Sequence, residues 1–198
     1  MLTVILAGGA SRRMGRDKAL LPCGSTTLLQ YLIGKYASLG PVAVSVNQAG
    51  KFPFSGAAEL VDRYPDCGPM NGLLAAFEET DAAEVLLTAV DLPAGSAALA
   101  LRLSELRGEA DACVLRRGKK GVEPLFAVYG RGCGTAARDC LAAGKKSMFD
   151  LFERVRTRYV LPEELPEFDL DRLLVNLNTP EDYAAFTAER FGGEEHSR

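Results

Sequence analysis

Two adjacent glycines, Gly8 and Gly9, close the short apolar run Leu2 to Leu6, and the polar segment after them carries Arg12, Arg13, Arg16 and Lys18. Lacking a Cβ, a glycine pair lets the backbone come close to a ligand and aim successive amides at an anion, while arginine and lysine arms neutralise its charge. That chemistry is phosphate binding at the end of a strand. The string G-G-A-S-R-R-M-G misses both G-x-x-x-x-G-K-[ST] and G-x-G-x-x-G, so neither an ATPase loop nor a dinucleotide fingerprint is present. A solvated turn can have the same composition, and composition alone leaves that alternative open.

Asp91 is the second chemical candidate. In E-V-L-L-T-A-V-D-L-P the charge arrives just past an apolar run and just before Pro93. A carboxylate there can hold Mg²⁺ beside substrate phosphates, because magnesium keeps several waters and takes one or two protein carboxylates. The alternatives are an N-cap for a helix over Ser96 to Arg107, or a solvated turn.

These residues need a scaffold, and the hydrophobic pattern supplies one. Leu2 to Leu6, Val42 to Val46, Glu59 to Val61 and Val85 to Leu87 read as short strands, the first and the last as buried ones. Between them, Leu28, Leu29, Leu32, Ile33 and Tyr36 recur at helical spacing, and Met70 to Glu79 follows the Gly68-Pro69 turn as a helix with Leu73, Leu74 and Phe77 inward. Gly72 in its first turns suggests close approach of another backbone or of a ligand. Ligands in open α/β sheets gather at the carboxyl ends of the strands, which puts Ala7, Asn47 and Asp62 together with the glycine pair.

Further along, strands are predicted over Ala112 to Leu115 and Glu123 to Tyr129, separated by a basic turn from Arg116 to Gly121. A helix over Gly134 to Ala143 and another from about Met148 follow, with Phe149 and Phe152 expected in the core. Leu173 to Val175 reads as a strand, so that Asn176 and Asn178, two apart, would face one side. Thr179-Pro180-Glu181-Asp182 is a capping sequence for a last helix ending near Phe191.

Composition fits one domain over residues 1–198, with 47% hydrophobic residues and a formal charge of −3. That charge gives no reason to bind a nucleic-acid backbone, and no stretch has the roughly 18 to 20 apolar residues of a membrane helix. Five cysteines, an odd number without a C-x-x-C pair, point to reduced thiols and a cytosolic protein. The one histidine, His196, leaves Cys67 without the partner a nucleophile needs.

The string L-A-G-G-x-S-x-R-M-G-x-D-K, carried by Leu6, Ala7, Gly8, Gly9, Ser11, Arg13, Met14, Gly15, Asp17 and Lys18, resembles the nucleotidyltransferase signature, and most closely that of the molybdenum cofactor guanylyltransferases. G-P-M-N-G-L, V-D-L-P and N-L-N-T-P-E-D resemble further segments of that family, with Met70 and Asn71 standing where leucine and alanine are usual. The resemblance implies a three-layer α/β/α sandwich with a mostly parallel sheet, Rossmann-like and of the nucleotide-diphospho-sugar transferase kind. It implies Mg²⁺ on Asp91, charge balance at the phosphates by Arg13 and Lys18, and a nucleotide pocket formed by Leu6, Ala7, Gly8, Gly9, Lys18, Asn47, Asp62 and Asp91. Asn176 and Asn178 would reach toward phosphates, metal or acceptor, and the Pro-Leu-Phe segment at Pro124 would lie on the acceptor side.

The implied reaction joins GMP from GTP to molybdopterin cofactor, with transient contact to molybdenum cofactor carrier or acceptor enzymes. An aspartate at position 62 suits guanine, whose N1 and exocyclic amino groups are donors. A cytidylyl- or sugar-1-phosphate nucleotidyltransferase of the same fold remains an alternative, although that branch usually carries L-A-A-G. So does a non-catalytic nucleotide-binding assembly protein, which would need neither Lys18 nor Asp91.

Overall fold

The computed structural model describes residues 1–8, 17–64, 67–117 and 121–192. Gly9, Arg13 and the lysines of the basic turn, Lys119 and Lys120, lie outside the described residues.

In chain order the elements are β1 (Leu2–Leu6), the short strands β2 (Pro22–Cys23) and β3 (Thr26–Thr27), α1 (Leu28–Tyr36), β4 (Val42–Val46), β5 (Ala58–Val61), α2 (Pro69–Glu79) and β6 (Glu84–Ala89). Then come α3 (Ala97–Arg107), β7 (Ala112–Arg116), β8 (Val122–Gly130), α4 (Gly132–Ala142), α5 (Met148–Phe152), β9 (Thr157–Val160), α6 (Leu170–Leu173) and α7 (Pro180–Phe191). Seven strands form one sheet in the order β5-β4-β1-β6-β8-β7-β9, while β2 and β3 form a separate hairpin. Pairing is parallel from β5 to β6 and again between β7 and β9; β8 runs antiparallel to both its neighbours. The expected mostly parallel α/β/α sandwich is therefore the observed one.

The strand sequences explain the layers. Successive side chains leave a strand on opposite faces, so a sheet covered on both sides must be apolar at consecutive positions. In β1, Val4 packs on one face with α2, α4 and α5, and Ile5 on the other with α1 and α3; Leu86 and Leu87 in β6 divide the same way. All four are fully buried, and each such side chain contributes roughly 1.5–3 kcal/mol.

Helix ends follow local chemistry. Thr27 caps α1 through a capping box with Gln30, Ser96 caps α3 by accepting from the Leu99 N–H at 3.1 Å, and Thr179 caps α7 in a box with Asp182. Ser96 removes the alternative role of Asp91 as that cap.

Two expectations fail in the C-terminal third. Leu173 to Val175 is not a strand: α6 ends at Leu173, and Leu174 and Leu177, three apart, are both buried in the core on the α1/α3 face. Asn176 and Asn178 thus do not share a strand face. Phe149 is 58% exposed and only Phe152 enters the core. The edge strand β9 has no counterpart in the sequence reading.

Candidate functional site

The carboxyl ends of β1, β4, β5 and β6 open into a cleft of about 710 Å³. Its lining includes Leu6, Ala7, Gly8, Lys18, Asn47, Asp62 and Asp91, so seven of the residues singled out from the sequence converge on one space. Ladder hydrogen bonds run one residue past the strands and fix the cleft backbone. The Ala7 N–H donates to the Ser45 carbonyl at 3.0 Å, that of Asp62 to Val46 at 2.8 Å, and that of Val90 to Leu6 at 3.2 Å. A Cβ on Gly8 would lie 3.6 Å from both the Asn47 nitrogen and Asp62 Oδ2, an ordinary contact distance. Among the described residues no protein group demands glycine there, and Gly8 lines the cleft.

Asp62 sits at the end of β5 with Oδ1 accepting from the Ser45 hydroxyl at 3.1 Å. Burial pushes its carboxyl above the ordinary range, and the Ser45 hydrogen bond only partly opposes this. The backbone after Asp62 is held by Asn71 from the first turn of α2. Asn71, only 1% exposed, accepts from the N–H groups of Arg63 and Tyr64 at 3.2 and 3.3 Å and donates to the Tyr64 carbonyl at 2.6 Å. Gly72 lets α2 lie against β1 and β4, since a Cβ would meet Leu6 Cδ2 and Ser45 Oγ at 2.7 Å. The close approach expected at Gly72 is made by these side chains rather than by another backbone.

Asp91 follows β6 on a tight turn closed by the Leu92 N–H donating to the Ala89 carbonyl at 3.0 Å. Its Oδ1 is buried and meets no hydrogen-bond partner among the described residues. Burial raises its carboxyl, with the Lys18 ammonium acting in the opposite direction. Behind the turn, Lys35 donates to the carbonyls of Pro93 and Gly95, and the Tyr36 hydroxyl to Gly95 at 3.1 Å. A Cβ on Gly95 would stand 2.4 Å from the Phe126 ring, so the turn is packed flush against β8.

Lys18 opens a short 3₁₀ turn capped by Asp17, and its ammonium donates to the Leu177 carbonyl. The Leu177 N–H in turn donates to the Asp91 carbonyl at 2.8 Å. Asn176 and Asn178 flank Leu177 at the margin of the site but are not among its lining residues. Of the Pro-Leu-Phe segment, Leu125 alone is among the cleft's lining residues; Phe126 is fully buried in the core. Arg117, in the basic turn, is drawn into the fold. Its side chain is 12% exposed, donates to the Leu174 carbonyl at 3.0 Å and lies 3.5 Å from Glu123.

Sequence reading missed Ser45, Asn71 and Lys51. A polar residue in an apolar strand and an asparagine in an apolar helical turn were the available signals for the first two; Lys51, in a Gly-containing loop, gave none.

Residues 3–160 match the family described as the MobA-like NTP transferase domain. A protein of Carboxydothermus hydrogenoformans named "Probable molybdenum cofactor guanylyltransferase" is 33% identical over 185 residues, covering 92% of this chain and 93% of its own. A protein of the same name from Pelotomaculum thermopropionicum is 36% identical over 184 residues, covering 90% and 88%. Among solved structures, molybdopterin-guanine dinucleotide biosynthesis protein A of Archaeoglobus fulgidus superposes with a TM-score of 0.82 at 21% identity, covering 98% of this chain and all of that one. The fold is that of the nucleotide-diphospho-sugar transferases.

Proposed function

This chain belongs to the MobA-like NTP transferase family, and from that premise we propose that it transfers GMP from GTP to the phosphate of molybdopterin cofactor, releasing pyrophosphate. The observation that carries the reading is Asp91, a buried carboxylate with an unmet oxygen beside Lys18 in the strand-end cleft.

Such a group fits Mg²⁺. Among the described residues no three His, Cys, Asp or Glu side chains gather into a cage, which suits a cation taking one protein carboxylate and completing its shell with phosphates and water. Bound there, Mg²⁺ would supply charge neutralisation at the triphosphate. Lys18 sits beside Asp91 as a second cation for the same phosphates, and Arg13 is proposed as a third. Asp62, preset by Ser45 and by the Asn71-held backbone, offers acceptor oxygens to the guanine edge, with Asn47 beside it.

In the reaction an oxygen of the acceptor phosphate attacks the α-phosphorus. The bond from that phosphorus to the bridging oxygen breaks, and the electron pair leaves with pyrophosphate. Both nucleophile and leaving group are already anionic, so no general base is needed. The protein's work is positioning and electrostatic stabilisation, without a covalent intermediate.

Calorimetric titration with GTP, CTP, UTP and ATP in Mg²⁺, followed by pyrophosphate release in the presence of molybdopterin cofactor, tests the proposal. GTP should bind tightest and turn over. CTP binding as well or better would move the protein to the cytidylyl branch, and binding without transfer would leave a non-catalytic nucleotide-binding protein.

A further inference from the structure

Lys51 lies in the loop between β4 and β5, far in sequence from the signature segment, yet its ammonium meets both ends of that segment. It donates to the Ala7 carbonyl at 2.8 Å, where β1 ends, and pairs with Asp17 Oδ2 at 2.9 Å, where the turn carrying Lys18 begins. The other oxygen of Asp17 accepts from the Ala19 N–H at 3.1 Å and so caps the turn. The ammonium has a further neighbour, standing 4.9 Å from the centre of the Phe52 ring, and Phe52 is buried with its backbone N–H donating to Glu59 at 2.6 Å.

We propose that Lys51 is a positioning residue for nucleotide binding: one ammonium ties Ala7 to Asp17 and thereby fixes where Lys18 enters the cleft. The geometry separates this role from simple charge. A lysine reaching for phosphate would not need Asp17, whereas a clasp needs both partners. Because the spacing it sets is the same before and during the reaction, its loss weakens ground-state and transition-state binding alike, raising KM with little change in kcat.

The proposal rests on the nucleotide reading, and three measurements keep the two apart. In wild-type protein, GTP binding and turnover test that reading alone. In K51M, the KM for GTP should rise about tenfold, the weight of one lost charged hydrogen bond and ion pair, with kcat at saturating GTP within about twofold; K51R should restore most of the loss. D17N, which retains a capping oxygen but loses the ion pair, should reproduce the K51M change, and the double variant K51M/D17N should be no worse than either single one. Hydrogen exchange at the Ala19 and Leu20 amides, which needs no substrate, should be faster in K51M. An unchanged KM in K51M, a D17N variant with wild-type KM, or unaltered Ala19 and Leu20 exchange would overturn the clasp. A fall in kcat and melting temperature with KM intact would overturn it too, in favour of a purely structural lysine. If wild type binds no nucleotide, the exchange experiment still decides whether the clasp exists.

Discussion

The carboxylates at the cleft and those at the helix caps live in opposite circumstances. Asp182 accepts from the N–H groups of Asn178 and Thr179 at 2.9 and 2.8 Å, and these hold its carboxyl below the ordinary range. Glu164 is held low by the Leu161 N–H and by Arg158. Asp62 and Asp91 are pushed the other way by burial, one with a single hydroxyl donor and the other with an oxygen unmet. The cap carboxylates have found backbone donors within the chain, whereas Asp62 and Asp91 have only the Ser45 hydroxyl and the nearby Lys18 charge to set against their desolvation.

The largest break in this comparison should come at Asp91. D91N keeps the volume and removes the charge, so pyrophosphate release should fall by about 10² or more, the scale of losing a preorganised electrostatic group. The melting temperature should hold or rise, because an ionised, desolvated carboxylate opposes folding. A folded D91N with undiminished turnover would return Asp91 to the class of incidental turn residues.

A smaller effect is expected at Asp62. D62N keeps an acceptor for Ser45 but loses the charge proposed to meet the base, and GTP affinity should weaken about tenfold by calorimetry, the worth of a charge-assisted hydrogen bond. Equal weakening for all four nucleotides would show that Asp62 shapes the pocket without reading the base.

The smallest effect sharpens the contrast by sign. For Asp62 and Asp91 the folded-state value lies above the unfolded 3.8; the unfolded chain releases its protons first, and wild-type stability drops as pH rises through that window. D62N/D91N escapes this, so its melting temperature relative to wild type should climb between pH 4 and 7. For Asp182 and Glu164 the folded value lies below the unfolded 3.8 and 4.5, so their stabilisation is present above those values and vanishes as pH falls through the folded ones. D182N/E164Q relative to wild type should therefore worsen as pH rises from 3 to 5. Thermal scans across pH read both slopes, and slopes of one sign would dissolve the distinction.

What the sequence disclosed were features set by near neighbours. The β1 run, the 3.6-residue period of α1, the Thr179 cap and the position of Asp91 after β6 all depend on residues within a few places of one another, and the rule that parallel strands end at the ligand brought Ala7, Asn47 and Asp62 together. Hidden were features set by distant partners. Lys51 gains its role from Ala7 and Asp17, and Arg117 from Leu174. The run Leu173 to Val175 reads as a strand from sequence, yet so short an apolar run fits a helix end equally well, and the core on the α1/α3 face, absent from local sequence, takes Leu173 and Leu174 as the end of α6.

The double hydrogen bond of Leu177 has a temporal meaning. Its carbonyl holds Lys18 and its N–H holds the Asp91 carbonyl, joining two residues supplied early in the chain through a third supplied late. All seven strands of the sheet are in hand once Val160 has been made. A chain growing from its N-terminus can thus close its sheet while Lys18 and Asp91 still lack this link. In the order of synthesis, every strand of the sheet is made before the residue that ties Lys18 to Asp91, so the link that completes the cleft is the last part of it to be supplied.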